Sequence, residues 1–235
     1  MVATLSDSPP SAYIAQGVYT GFDNELLRVA ARYENIDLSF VGTDFAGLLS
    51  GIAVGRFDIG SATISSTEAR KKTVSFTNGY HVGITVVVTA KGARLTTPNA
   101  LSGKRLGVVQ GTLQEEYAQK IPGAKVVRFP DSNSAAAQLK SGALDGWVAT
   151  QAVGTKYVKQ AAPSALEIGY SVAAKEAPSA FAVRIGDKTL VSELNDGISR
   201  SINDGTVVRL YKRFFPAEVI PPELEPGGGG YSVSP

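Results

Sequence analysis

The sequence predicts an α/β protein made of two βα lobes that are joined by two hinge strands. Strand-like and helix-like segments alternate in two successive series, which is typical of parallel sheets covered by helices on both faces. Apolar runs at 82–89 and 179–184 flank the second series, and we expect them to pair as the hinge strands. Lobe 1 is therefore predicted at 1–83 and 182–215, and lobe 2 at 84–181.

The first series supplies lobe 1. A short strand is predicted at 2–5, followed by an amphipathic helix for which Asp23 is the expected N-cap. Alternating apolar residues predict a strand at 36–41, and the apolar run at 58–64 predicts another. Between these two strands, apolar side chains recur at helical spacing, namely Phe45, Leu48, Leu49 and Ile52.

The second series supplies lobe 2. Strands are expected at 106–109, 126–129 and 147–149, with Trp147 in the core, and helices from about Gln114 and at 135–139. Two further helices, separated by Gly205, are predicted to pack on lobe 1.

The C-terminal stretch, residues 216–235, is rich in proline and glycine. It contains Pro221, Pro222, Pro226 and the glycines 227–230. Such a composition cannot form a packed core by itself, so we expect an extended tail, a tether or mobile terminus in preference to a docking arm.

Composition excludes several classes of function. The 235 residues include 23 basic and 21 acidic side chains, and the basic ones are dispersed, so nucleic-acid binding is not expected. The chain has no cysteine and one histidine, His81, so neither a thiolate site nor a multi-histidine metal site is expected. No cofactor is expected either.

No apolar run approaches the roughly 18 residues of a membrane span. The start lacks the pattern of a signal peptide, so an exported form would need a leader that this sequence does not show.

The most informative segment is SSTEAR at 65–70, which follows the apolar strand DIGSATI at 58–64. Arg70 can bond a carboxylate through two parallel N–H groups, and Ser65 can satisfy the remaining lone pairs of that anion. The alternative is a plain helix start, capped by Ser66 or Thr67, with Arg70 as a solvated surface charge.

Motifs along the chain decide between these alternatives. They are GFDNELL at 21–27, FAGLL at 45–49, GRFD at 55–58, TEAR at 67–70, FTNGY at 76–80, GVVQGT at 107–112, LKSGALDG at 139–146, NDGT at 203–206 and LYKRFF at 210–215. In this order they resemble the type-II periplasmic solute-binding proteins, specifically the amino-acid-binding class of ABC transporters, bacterial extracellular solute-binding family 3. The resemblance covers about nine tenths of the chain, which makes coincidence improbable.

The resemblance implies a cleft between the two βα lobes, in which the ligand is held. On lobe 1, Arg70 and Ser65 would hold its α-carboxylate, the carbonyl of Thr63 would meet its amino group, and Phe45 would stack on its side chain. On lobe 2, free N–H groups of the βα turn would face the carboxylate, and the turn comprises Gln110, Gly111, Thr112 and Leu113. His81 is expected on the hinge surface, and Asp23 and Asp145 are expected to be structural.

One departure from the family pattern concerns the amino group. The family places an aspartate five residues after the position of Asp145, where this chain has Thr150 followed by Gln151. A buried ammonium without a carboxylate costs several kcal/mol unless other acceptors replace it. We therefore expect a monocarboxylate whose amino group is absent, substituted, or held by Thr63, Thr150, Gln151 and water; a standard amino acid stays possible.

The resemblance implies a non-catalytic, extracytoplasmic protein that closes over its solute, acts as a monomer, and delivers the solute to ABC permease subunits. Two alternatives stay open. One is an enzyme on the same fold, similar to cyclohexadienyl dehydratase, which would need a positioned general acid. The other is the ligand-sensing domain of a receptor.

Overall fold

The computed structural model describes residues 1–161 and 165–233. It divides into two compact units, one formed by Met1–Val82 with Ala177–Pro235 and the other by Gly83–Glu176. Each unit combines parallel strands with helices. The α/β class predicted from the sequence is therefore confirmed.

The strands are β1 (Val2–Thr4), β2 (Asp7–Ser8), β3 (Ala12–Ala15), β4 (Val18–Thr20), β5 (Phe40–Gly42), β6 (Ile59–Ser65), β7 (Val74–Phe76), β8 (Ile84–Ala90), β9 (Arg105–Val109), β10 (Lys125–Phe129), β11 (Gly146–Thr150), β12 (Leu166–Lys175) and β13 (Ser179–Arg184). The helices are α1 (Phe22–Tyr33), α2 (Phe45–Ala53), α3 (Glu68–Lys71), α4 (Leu113–Gln119), α5 (Ser132–Lys140), α6 (Gln151–Gln160), α7 (Lys188–Asn203) and α8 (Thr206–Phe214). Single 3-10 turns lie at Pro98–Leu101 and Pro222–Leu224.

The main sheet of the first unit has the strand order β5-β1-β6-β13-β7. Strand β1 runs parallel to both β5 and β6, and Val2 lies opposite Phe40 and Ile59. Parallel strands end at the same edge of a sheet. The start of α2, which follows β5, and the segment after β6 therefore lie at one edge.

Helix α7 packs against α1 at a contact that only glycine fits. A Cβ added at Gly197 would lie 2.3 Å from the carbonyl oxygen of Ala30, a buried residue of α1. We expect Gly197→Ala to lower the free energy of unfolding by about 2 kcal/mol or more, because two helix backbones would have to separate. Urea denaturation measures this, with Ser192→Ala on the exposed face of α7 as the control. Equal urea midpoints for the wild type and Gly197→Ala would contradict the prediction.

The sheet of the second unit has the strand order β10-β9-β11-β8-β12. Strand β9 is parallel to β10 and β11, whereas β8 is antiparallel to β11 and β12. Trp147 is 1% exposed and meets the ring of Tyr157 edge-on at 5.1 Å. The predicted core position of Trp147 is confirmed.

The two apolar runs expected to pair with each other do not do so. Strand β8 pairs with β11 and β12, and β13 pairs with β6 and β7. The chain passes between the units after Val82 and returns after Glu176, so each run continues into the sheet of its own unit. Apolar character marked these runs as strands and could not specify their partners, because the pairing depends on the whole sheet.

The C-terminal segment, expected to be extended, contacts the rest of the first unit at several points. Leu224 is fully buried, Gly227 N–H donates to Asn203 Oδ1 at 3.0 Å, and Tyr231 pairs with Gly79. The prediction of an extended tail is therefore wrong. The segment forms no core of its own, but the first unit supplies apolar surface and hydrogen-bond partners.

His81 was expected on the surface and is instead 5% exposed beneath this segment. Its ring stacks on Phe215 at 5.0 Å, and its Nε2 lies 3.8 Å from Glu218 Oε2. The sequence placed His81 next to a lobe boundary, and the residues that bury it lie more than a hundred positions later.

Within the described residues, no helix is both long and apolar enough to cross a bilayer.

Candidate functional site

Arg70 is held at the edge of the first unit where β6 ends. Thr67 caps the short helix α3, and its hydroxyl accepts from the backbone N–H of Arg70 at 3.3 Å. Arg70 is nevertheless only 8% exposed. The segment is thus a capped helix start, as one alternative predicted, while the solvated position that this alternative gave Arg70 is wrong.

Four residues of the first unit were predicted to contact the ligand, and we call these four the first half-site. Three of them lie together, namely Phe45, Ser65 and Arg70. The Arg70 guanidinium carbon lies 5.2 Å from the ring centroid of Phe45, the first residue of α2, and Nη1 donates to the carbonyl oxygen of Ser65 at 3.0 Å. Phe45 and Ser65 are 5% and 3% exposed. The aromatic face and the carbonyl fix the plane of the guanidinium, which favours bidentate binding of a carboxylate.

Thr63, the fourth predicted residue of this half-site, lies on a distorted part of β6. Its φ is 50°, and the pairing of β6 with β13 shifts register nearby. A bulge of this kind re-aims side chains at a strand end. Both the backbone N–H and the hydroxyl of Thr63 donate to Asp23 Oδ2.

Asp23 is not the N-cap that the sequence predicted. Helix α1 begins at Phe22 with Gly21 as N-cap, and Asp23 is fully buried beneath Thr63. Burial raises the pKa of Asp23 to about 6, against the lowering effect of the hydrogen bonds from Thr63. Sequence reasoning missed this support because Asp23 is 40 positions from Thr63, and an aspartate near a helix start is usually a cap.

The predicted turn of the second unit, residues 110–113, follows β9. Three of its backbone N–H groups already have partners: Gln110 donates to Phe129 O at 3.0 Å, Gly111 to Glu115 Oε2 at 2.7 Å, and Thr112 to Val109 O at 3.4 Å. The expectation that these groups are free is therefore wrong. Leu113 begins α4, and the first N–H groups of a helix point out of its N-terminus.

The side chain of Glu115 explains why the N–H group of Gly111 is not free. Its carboxylate accepts from Gly111 and also forms an ion pair with Arg128 at 2.5 Å. A carboxylate at the start of α4 therefore takes the place that the sequence assigned to a bound anion. The signal was present in the sequence, because Glu115 is three residues after the capping Thr112.

Thr150 and Gln151 lie where β11 passes into α6. Thr150 is the N-cap residue of α6, although its hydroxyl accepts no capping hydrogen bond, and Gln151 is exposed. Thr150 lies opposite Thr85 in the antiparallel pair of β11 and β8.

Glu176, which was not among the predicted site residues, lies next to Thr85. Glu176 Oε1 accepts from Thr85 Oγ1 at 2.7 Å and from Gln114 Nε2 at 2.7 Å. Gln114 Nε2 also donates to Thr85 Oγ1 at 3.1 Å. No spacing rule links Glu176 to Thr85 or Gln114, so only the folded chain shows that they are neighbours.

Nothing in the described ranges, 1–161 and 165–233, gathers three metal-ligating side chains into a group that could hold an ion. The polar groups of both half-sites are instead a guanidinium, hydroxyls, amides and carboxylates. A guanidinium is suited to a negatively charged group of a ligand, and a carboxylate to a positively charged one.

Comparison with known proteins agrees with this description. The sequence model of the bacterial extracellular solute-binding proteins, family 3, matches residues 1–217. A probable histidine-binding protein of Campylobacter jejuni subsp. jejuni is 29% identical over 91% of this chain and 83% of its own length. An ancestral arginine-binding protein bound to arginine superposes with a TM-score of 0.87 at 30% identity, covering 91% of this chain and 96% of that one.

A further solved structure bears on the enzyme alternative. An ancestral amino-acid-binding protein, described as a precursor of cyclohexadienyl dehydratase, matches with a TM-score of 0.81 at 28% identity, over 91% of this chain and 93% of that one. It too is named as a binding protein. The family match spans both units described above, and the chain therefore belongs to the bacterial extracellular solute-binding proteins of family 3.

Proposed function

We propose that this chain is the extracytoplasmic binding component of an ABC importer and that its solute is an α-amino acid or a close derivative. The observation that carries the proposal is the buried guanidinium of Arg70, held by Phe45 and by the carbonyl of Ser65. A buried, oriented guanidinium is suited to a carboxylate. Amino-acid binding by the named relatives supports the same class of solute.

We also propose Thr150, Gln151 and the start of α4 as solute-binding groups of the second unit. Solute binding would favour one conformation of the hinged chain, and a permease can recognise that conformation. We infer that the protein works as a monomer with permease subunits as its membrane partners. The family to which the chain belongs supports an extracytoplasmic location.

Binding without turnover distinguishes this function from the enzyme alternative. A bound amino acid should be recovered chemically unchanged after long incubation, which proton NMR of the released solute would show. A new product formed in proportion to protein would favour the enzyme. The relatives named above are binding proteins, which supports the first outcome.

A thermal-shift screen tests the proposed function. The panel contains the standard amino acids and, for each charged or amide side chain, the analogue that lacks the α-amino group. At about 100 times Kd, a ligand should add about 2.7 kcal/mol to the free energy of unfolding and raise Tm by about 5 °C or more. If no member of the panel raises Tm, this class of solute is excluded.

A further inference from the structure

We propose that residues 218–231 form a strap that holds both segments by which the chain passes between its two units. We call these residues the C-terminal strap, and we call the two segments, 78–82 and 177–180, the passage segments. The family model matches residues 1–217, so the strap lies outside the matched region. The inference concerns the conformation of the chain and does not depend on which solute binds.

The passage segments are hydrogen-bonded to each other within the first unit. The backbone N–H of Tyr80 donates to Ser179 O at 2.9 Å, and the backbone N–H of Ser179 donates to His81 O at 2.7 Å. Tyr80 and Ser179 are fully buried, and the Tyr80 ring lies 4.5 Å from the ring of Phe181. Because the two segments share these hydrogen bonds, we expect them to open together as one local unit.

The C-terminal strap contacts the first passage segment at the residues before and after Tyr80. Gly79 N–H donates to Tyr231 O at 2.8 Å, and Tyr231 N–H donates to Gly79 O at 2.9 Å. At the other end of the strap, Glu218 Oε2 lies 3.8 Å from Nε2 of the buried His81. Both ends of the strap therefore hold the segment that leads into the second unit.

The middle of the strap is anchored on the first unit. Leu224 is fully buried, and Gly227 N–H donates to Asn203 Oδ1 at 3.0 Å. The strap also folds tightly on itself, because a Cβ added at Gly228 would lie 2.4 Å from Pro222 O. Leu224 is thus the apolar anchor, and truncating its side chain would leave a cavity beneath the strap.

Amide hydrogen exchange, measured by NMR on the full chain, tests this coupling. Leu224→Ala should release the strap and speed exchange of the passage-segment amides by about tenfold or more. The amides of β1, in the sheet of the same unit, should exchange within about twofold of the wild type. Val219→Ala, which shortens a side chain of the same strap that is 90% exposed, is the matched control and should leave all these rates within about twofold.

The amide of Ser179 gives the decisive reading, because it donates to His81 and not to the strap. Wild-type exchange at Ser179 in Leu224→Ala would overturn the proposal, whether or not the strap amides themselves have become faster. An equal increase in β1 would also overturn it, since the strap would then support the whole unit.

A second variant covers the case in which Leu224→Ala does not fold. Gly228→Ala disturbs contacts within the strap and leaves the Leu224 side chain in place. It should speed exchange at Ser179 by about tenfold and spare β1. Wild-type exchange at Ser179 in Gly228→Ala would then overturn the proposal.

Discussion

Arg70→Ala should abolish detectable amino-acid binding while the protein stays folded. The solute carboxylate would lose a bidentate, charge-assisted partner in a buried setting, which costs about 3 kcal/mol or more, equivalent to at least 100-fold in Kd. Calorimetry with the tightest amino acid of the panel measures the loss. Arg70→Lys should fall between the two, because an ammonium keeps the charge but cannot form the planar pair of hydrogen bonds.

Arg56 offers a matched control for this substitution. Its guanidinium carbon also lies near an aromatic ring, 5.2 Å from the centroid of Phe57, but Arg56 is exposed. Arg56→Ala should leave the Kd within about twofold of the wild type, since exposed charges contribute little. An Arg70→Ala protein that binds as tightly as Arg56→Ala would remove Arg70 from the site.

Asp23 should make the stability of the wild type fall as pH rises from about 4 to 7. The folded pKa is about 6 and the ordinary value is 3.8, so between these values the folded chain binds more protons than the unfolded chain. The free energy of unfolding then decreases with pH, by about 3 kcal/mol in total for a shift of this size. The loss begins above pH 4 and is complete above the folded pKa.

Asp23→Asn isolates this contribution because it removes the titrating group and keeps an oxygen that can accept from Thr63. Urea denaturation at pH 4, 5, 6 and 7 should show the Asp23→Asn variant gaining about 3 kcal/mol relative to the wild type between the lowest and highest pH. Asp37→Asn, an exposed site, controls for the loss of one carboxylate. A difference between Asp23→Asn and the wild type that does not change with pH would contradict the buried, titrating Asp23.

Local patterns predicted much of the fold. The helical spacing of Phe45, Leu48 and Ile52 predicted α2, and the run 58–64 predicted β6. The contact between Ser65 and Arg70 was also predictable, because the two residues are close in sequence and a short capped helix fixes their geometry. Such features depend on neighbours within about five residues, which a sequence shows directly.

The features that the sequence analysis missed depend on distant contacts. Asp23 accepts a hydrogen bond from Thr63, 40 positions away. His81 packs against Phe215 and Glu218. Glu176 accepts a hydrogen bond from Thr85, 91 positions away. The C-terminal segment is poor in apolar residues, yet Leu224 is buried because the first unit provides the surface. Periodicity carries no information about such pairings, since they are fixed only when the sheets assemble.

Native mass spectrometry can show directly whether the chain binds one amino acid and whether Arg70 is needed for binding. The ligand-free wild type and Arg70→Ala are each mixed with the standard amino acids at equal concentrations, exchanged into volatile buffer and measured intact. We expect the wild type to retain a single amino acid per chain and Arg70→Ala to retain none. A wild type that stays bare, or an Arg70→Ala protein that carries the same adduct, would contradict it.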